Sequence, residues 1–398
     1  MERHETSLGH RLGSLLWEST KLGFTSFGGP IAHLAFFRES YVHRKKWLDE
    51  KSYADTIALA QFLPGPSSSQ VGIAIGMMRG GWLGGIISWI GFTLPSILLL
   101  VLFAYLTNFY DVQQAGWLSG LKIAAVAVVI QAIIGMSKNL TPDKPRIAIA
   151  MITASFVLIS PTVSIQLLLI LLAAIIGYFT FKNKVKEPAH STDIPFSVNK
   201  IAGVIALILF FALLLVLPIL SRTFPNFYLQ LFDTFYRVGS IVFGGGHVVL
   251  PLLEREVVPS GWITEEAFLA GYGAAQAIPG PLFTFASYLG MVISGWKGAV
   301  IATVAIFLPS FLLIIGLLPF WNSVRKRKNV QAALMGVNAA VVGILLAALY
   351  DPIWTTSIND AKDFVLALFT FALLMVWKFP AWFVVAFAAA GGALMSYI

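Results

Sequence analysis

Apolar residues run along this chain in blocks, and the blocks are long. A helix needs about 20 apolar residues to cross ~30 Å of hydrocarbon. Nine stretches meet that or come near it: Trp82–Leu106, Trp117–Ser137, Arg146–Ser160, Val163–Phe181, Ile201–Leu220, Gly298–Phe320, Val330–Tyr350, Phe364–Trp377 and Ala381–Ile398. Four others are apolar but interrupted by glycine and proline: Leu12–Phe37, Tyr53–Met78, Leu231–Leu253 and Ala267–Ser294. The pattern predicts an all-α polytopic membrane protein with about nine full spans and four broken, re-entrant helical hairpins.

The interruptions repeat. Phe27-Gly28-Gly29 returns as Phe243-Gly244-Gly245, and Trp47 and Glu50 return as Trp262 and Glu265. Ala60-Gln61 and Pro64-Gly65-Pro66 return as Ala275-Gln276 and Pro279-Gly280-Pro281. Gly76-Met77, Gly81-Trp82, Gly84 and Leu94-Pro95-Ser96 return as Gly290-Met291, Gly295-Trp296, Gly298 and Leu308-Pro309-Ser310. The offset drifts only from 216 to 214, which reads as a tandem duplication. The expected organisation is an N-terminal repeat over 1–186, a linker with an extra span over 187–224, and a C-terminal repeat over 225–398.

Charge gives the relative orientation. Arg38, Arg44, Lys45, Lys46 and Lys51 crowd the loop between the first two broken stretches. The matching loop of the second half, from Glu254-Arg255-Glu256 to Glu265-Glu266, is net acidic. Cytoplasmic loops collect Lys and Arg, so matched loops fall on opposite sides and the copies are inverted. The single span Ile201–Leu220 supplies the odd number this requires. The N-terminus is then expected in the cytoplasm and the C-terminus outside a bacterial plasma membrane.

Composition narrows the function. Of 398 residues 58% are hydrophobic and 12% charged, with mean hydropathy +0.81. That is half the ~25% charge of a soluble domain. With no cysteine, disulfides, thiolate metal sites and cysteine nucleophiles are out. The net charge of +8 follows from cytoplasmic loops and needs no nucleic-acid partner. No cofactor motif is present. Met1–Arg11 holds no secretory apolar core, so no signal peptide is expected.

Inverted repeats with interrupted helices point to a transporter that binds its solute near the bilayer midplane. Each break frees peptide N–H and C=O groups, which persist only around protein or a wet cavity. Phe27-Gly28-Gly29-Pro30 and Pro64-Gly65-Pro66 would aim the first turns that follow them into such a cavity. Ser67, Ser68 and Ser69 would add hydroxyl donors. Phe243-Gly244-Gly245-Gly246 and Pro279-Gly280-Pro281 are the second pair. Helix N-termini are electropositive and rich in donors, so the expected ligand is an anion.

Other polar residues admit two readings each. Lys21 and Arg237, matched across the halves, either attract the substrate or pair locally with Glu18 and Asp233. Gln61 and Gln276 either donate to ligand or cap freed carbonyls. Glu39 and Glu254 either take up protons or are solvated loop charges. His33 and His247 follow the glycine breaks without aligning, and a coupling role is the alternative to a plain packing one. Lys122 reads as a snorkelling side chain.

These motifs resemble the chromate transporter family: Phe-Gly-Gly-Pro at 27–30, Trp47, Gln61 to Pro66, then Phe-Gly-Gly-Gly at 243–246, Trp262, and Gln276 to Pro281. The resemblance covers nearly the whole chain, in the long two-domain form. It implies an inner-membrane exporter of chromate that confers chromate resistance, with antiparallel halves. One departure stands out: Leu282, Phe283 and Thr284 replace the serine run of the first half. The expected partners are chromate or a sulfate-like oxyanion, the lipid bilayer and, as a homodimer, a second copy. A sulfate carrier and a passive anion channel are the alternatives, while an enzyme lacks a nucleophile with a matched base.

Overall fold

The computed structural model describes residues 7–27, 29–109, 116–160, 162–184, 199–242, 249–324 and 327–396. Among them there is no strand. Helices α1 (Leu8–Thr25), α2 (Gly29–Phe37), α3 (Glu50–Phe62) and α4 (Ser67–Phe109) open the chain. A π-helical turn, Arg38–Arg44, follows α2. Then come α5 (Gly116–Leu140), α6 (Lys144–Ile159), α7 (Val163–Phe181) and α8 (Lys200–Thr223). The second half holds α9 (Phe227–Ile241), α10 (Val249–Val257), α11 (Glu265–Ala277), α12 (Phe285–Leu317), α13 (Trp321–Val324), α14 (Lys328–Ala348), α15 (Thr355–Ser357), α16 (Ala361–Met375) and α17 (Ala381–Met395).

Five stretches among the described residues are long and apolar enough to cross a membrane: Ser67–Thr107, Gly116–Leu140, Lys200–Thr223, Leu282–Phe320 and Lys328–Ser357. The molecule is a multi-pass membrane protein. Four expected spans are not among these five: α6, α16 and α17 are shorter helices, and the apolar part of α7 is Leu168–Phe181. Helix α6 has 16 residues, from the Asp143 cap to Ser160. Helices α16 and α17 have 15 each, α16 starting at the Asp360 cap. Side-chain caps relieve the N–H groups that a first turn leaves unpaired.

Both long elements double back on themselves. Helix α4 loses helical geometry at Gly80 and Gly81, the latter at φ 61°, and α12 does the same at Ser294 and Gly295, again at φ 61°. The arms on either side press together at glycine. A Cβ on Gly76 would lie 2.3 Å from the Gly84 carbonyl oxygen, and one on Gly290 would lie 2.2 Å from that of Gly298. No side chain fits there, which explains the matched glycines.

The Gly/Pro breaks produce the other reversals. Across the first, Glu18 and Ser19 of α1 meet Ser40 and Tyr41 beyond α2. Across the second, Trp47 before α3 lies against Arg79 at the end of the first arm of α4. Arg237 of α9 meets Glu256 of α10, and the Tyr288 hydroxyl of α12 donates to the Ala267 carbonyl of α11 at 2.8 Å. The segments flanking each break thus pack back against each other. Glu18 is buried between the first pair of segments, taking hydrogen bonds from Ser40 (2.6 Å) and Arg44 (3.2 Å) and facing Lys45 (3.5 Å). A buried carboxylate needs such partners.

Candidate functional site: four hairpin tips

The tips converge, and they do so in a crossed pattern. The Gly280 N–H donates to the Ser26 carbonyl at 2.9 Å, and the Gly65 N–H donates to the Val242 carbonyl at 2.6 Å. Residues 26 and 242 are matched positions of the two halves, as are 65 and 280. Each bond therefore joins a first-break tip of one half to a second-break tip of the other.

Glycine is required at both donors. Gly65 sits at φ +118° and Gly280 at φ +105°, conformations that side chains disfavour. An added Cβ would also meet the Ser310 hydroxyl at 2.6 Å or the Ser96 hydroxyl at 2.8 Å. Those serines end the matched Leu-Pro-Ser triplets, so each long arm presses its serine against the opposite half's Pro-Gly-Pro.

Around this crossing the polar groups are dense and incompletely paired. Gln70 Nε2 donates to the Pro64 carbonyl at 2.6 Å and reaches Ser310 Oγ at 3.5 Å. His33 Nδ1 lies 3.2 Å from Ser68 Oγ, and its ring packs edge-on to Phe92. Ser26 Oγ, Ser69 Oγ, Gln70 Oε1 and Gln276 Nε2 are buried with no protein partner. Burying such atoms unpaired costs about 1–3 kcal/mol apiece, so four near one crossing mark a place built to be completed by something else.

A cavity of about 50 Å³ adjoins Gln276, lined also by Gly29, Pro30, Val128, Gln131, Ala275, Ile278, Gly280, Leu282 and Ala381. No Lys or Arg lines it. Positive potential at the tips comes from helix starts: α2 at Gly29, α4 at Ser67, and the 3-10 turn Leu282–Thr284 leading into α12.

The structure distributes the expected residues unevenly. Phe27, Gly29 and Pro30, Pro64 to Ser69, and Gln276 to Pro281 surround the crossing; Ser68 and Ser69 are buried at 2% and 1% exposure. Gln61 is exposed, unlike its match Gln276. Lys21 is exposed on the flank of α1 and lines no cavity of the site. Arg237 bonds Glu256 through two nitrogens, and reaches Asp233 at 3.5 Å. Glu39 is exposed on the π-helical turn, and Glu254 is buried against Phe268, Tyr272 and Pro352. Gly28 and Phe243 to Gly246, with His247, lie outside the described residues.

Ser26, Gln70, Gln131, Ser96 and Ser310 belong to this region and were not singled out from sequence. The two Leu-Pro-Ser serines had a signal, their exact match across the duplication. Ser26 had none, because its counterpart is Val242.

A multi-pass helical membrane protein with donor-rich hairpin tips meeting in its interior belongs to the class of membrane transporters. The chromate transporter profile matches it twice, over residues 13–178 and 229–393, and the chain belongs to that family. It is similar to a chromate transport protein of Pseudomonas aeruginosa, 27% identical over 83% of this chain and 78% of the relative. An uncharacterized transporter of Methanocaldococcus jannaschii is 27% identical over 82% of this chain and 81% of its own. An uncharacterized transporter of Bacillus subtilis is 28% identical over 98% of its own length but only 43% of this chain. No solved structure matches the chain.

Proposed function

We propose that the protein is a secondary transporter that exports chromate across a bacterial plasma membrane by alternating access. Family membership supports chromate as the solute. The observation that carries the mechanism is the crossed pair of tip bonds beside three buried donors without a protein partner, Ser26 Oγ, Ser69 Oγ and Gln276 Nε2. A tetrahedral dianion offers acceptors to Ser26, Ser69 and Gln276 and to the first turns of α2 and α4, which then need no cation beside it. Hydrogen bonds to a charged partner contribute about 1.5–3 kcal/mol each, enough to offset desolvation when several converge.

The two halves are read as inverted repeats, 1–186 and 225–398, with the four hairpins re-entrant from opposite faces and the N-terminus in the cytoplasm. Matched tips, matched reversals at Gly81 and Gly295, the two profile matches, and a relative of half the length all support this. Rocking one half against the other would make and break the crossed bonds in turn. Export is the downhill direction for an anion. A potential negative inside is worth ~2.3 kcal/mol per charge per 100 mV, so a dianion leaving gains about 4.6 kcal/mol, or ~10³ in concentration.

The test is chromate uptake into everted vesicles carrying this protein, with and without excess sulfate. Uptake above empty vesicles that survives sulfate supports chromate as the substrate. No uptake overturns the reading, and full suppression by equimolar sulfate reassigns it to sulfate-like oxyanions generally.

A further inference from the structure

At the start of α1 Leu12 lies against Gly80, so that Arg11 and Arg79, their chain neighbours, come to one corner of the fold. The Arg79 guanidinium lies over the Trp47 ring, its Cζ 3.9 Å from the centroid. Its Nε is buried and has no partner. Among the described residues neither arginine forms an ion pair, and the nearby carboxylates are engaged elsewhere. Glu18 faces Arg44 and Lys45, while Glu50 is held by Arg38.

The fold does not require cations here. The positions matching Arg11, Trp47 and Arg79 in the second half are Phe227, Trp262 and Ile293. That corner is built the same way and is apolar: the Phe227 and Trp262 rings pack edge to face, centroids 5.4 Å apart. Tyr228 touches the Ser294 reversal there, as Leu12 touches Gly80 in the first half. Like charges crowded together, one with a buried donor unpaired, are unfavourable unless an anion sits between them.

We infer that Arg11 and Arg79, with Trp47, form a binding site for the phosphodiester headgroup of an anionic phospholipid. Two guanidinium forks suit a phosphate, and the indole holds one of them in place. The headgroup is favoured over a free ion by the setting. The site adjoins the hairpin turn at Gly80–Gly81, where Trp82 is 52% exposed, and Trp17, on the same helix as Arg11, is 71% exposed. Indoles exposed on a membrane protein gather at headgroup level, where basic residues meet anionic lipid. This site is independent of the transport reading, because its occupancy is measured without transport.

The experiment is native mass spectrometry of the purified full chain with phosphatidylglycerol, phosphatidylcholine or inorganic phosphate as probe, beside thermal unfolding in detergent. Wild type should retain phosphatidylglycerol over phosphatidylcholine, and Arg11→Gln and Arg79→Gln should each weaken that retention at least tenfold. Arg79→Lys, which keeps the charge but loses the fork, should fall between. Arg11 is exposed, so its variant decides the matter if Arg79→Gln does not fold. Equal retention by wild type and Arg11→Gln overturns the site. Stabilisation of wild type by inorganic phosphate, lost in Arg11→Gln while lipid retention is unchanged, overturns the lipid as its occupant.

Discussion

The two Pro-Gly-Pro tips share a backbone and differ in what decorates it. Each has a left-handed glycine, a crossed peptide bond, and a serine from the opposite long arm pressed beneath it. Beyond that they diverge. The first is followed by three serines and Gln70, whose amide braces the Pro64 carbonyl. The second is followed by Leu282, Phe283 and Thr284, and there the brace is short: Thr284 Oγ1 donates to the Pro281 carbonyl at 2.7 Å. Phe283 is fully buried. Architecture is held in common while chemistry is divided, so substitutions to the shared parts should act alike in the two halves and those to the decorations should not.

The largest effect is expected at the shared glycines. Gly65→Ala and Gly280→Ala each force a left-handed alanine, a cost of about 1–3 kcal/mol, and drive a Cβ against a serine hydroxyl. Both should abolish chromate uptake in everted vesicles. Tolerance of one and not the other would break the equivalence of the tips.

Next comes the pair Arg237 and Lys21. Arg237→Gln strands Glu256 and Asp233, which should cost about 1–3 kcal/mol. Lys21→Gln strands nothing and should leave thermal stability unchanged. An equal loss of transport at unchanged stability in both variants would return these cations to the substrate site.

Gln276→Leu removes an amide donor beside the cavity and should weaken chromate affinity about tenfold, near 1.4 kcal/mol. Gln61→Leu, on an exposed face, should change nothing; uptake titrations on the two variants settle the contrast.

The smallest effect is at the helix caps. Asp49 and Thr264, matched across the halves, accept from the N–H groups of Ser52 and Ala267. Alanine at either should cost about 0.5–1 kcal/mol. Only the first cap titrates. The Ser52 N–H holds the Asp49 carboxyl below its ordinary 3.8, so its contribution is complete above that value and fades as the pH falls below it. Thermal unfolding across that range should separate the Asp49 and Thr264 variants.

Much of this was legible in the residues themselves. Glycine and proline leave plain marks, and their register across 398 residues is what points to a duplication and to where the helices break. Arg237 was half legible. Its neighbour Asp233 lies one turn away on the same helix, whereas Glu256 comes from α10 and only folding brings it near. Gln61 and Gln276 look alike in sequence; exposure separates them, and it depends on which face of the hairpin the rest of the protein covers. Ser26 enters the site through its position at a tip, a matter of tertiary geometry that no motif records.

The crossed tip bonds also bear on how such a protein could be divided. Both run between halves and neither within one, so cutting the chain in the segment before α8 would leave each fragment with an open glycine amide and an open carbonyl at its apex. Neither could close on itself. Two fragments brought face to face would supply each other's missing partners, and a lone one would leave both groups open. The unit that can persist is the couple, whether or not a covalent tether joins its members.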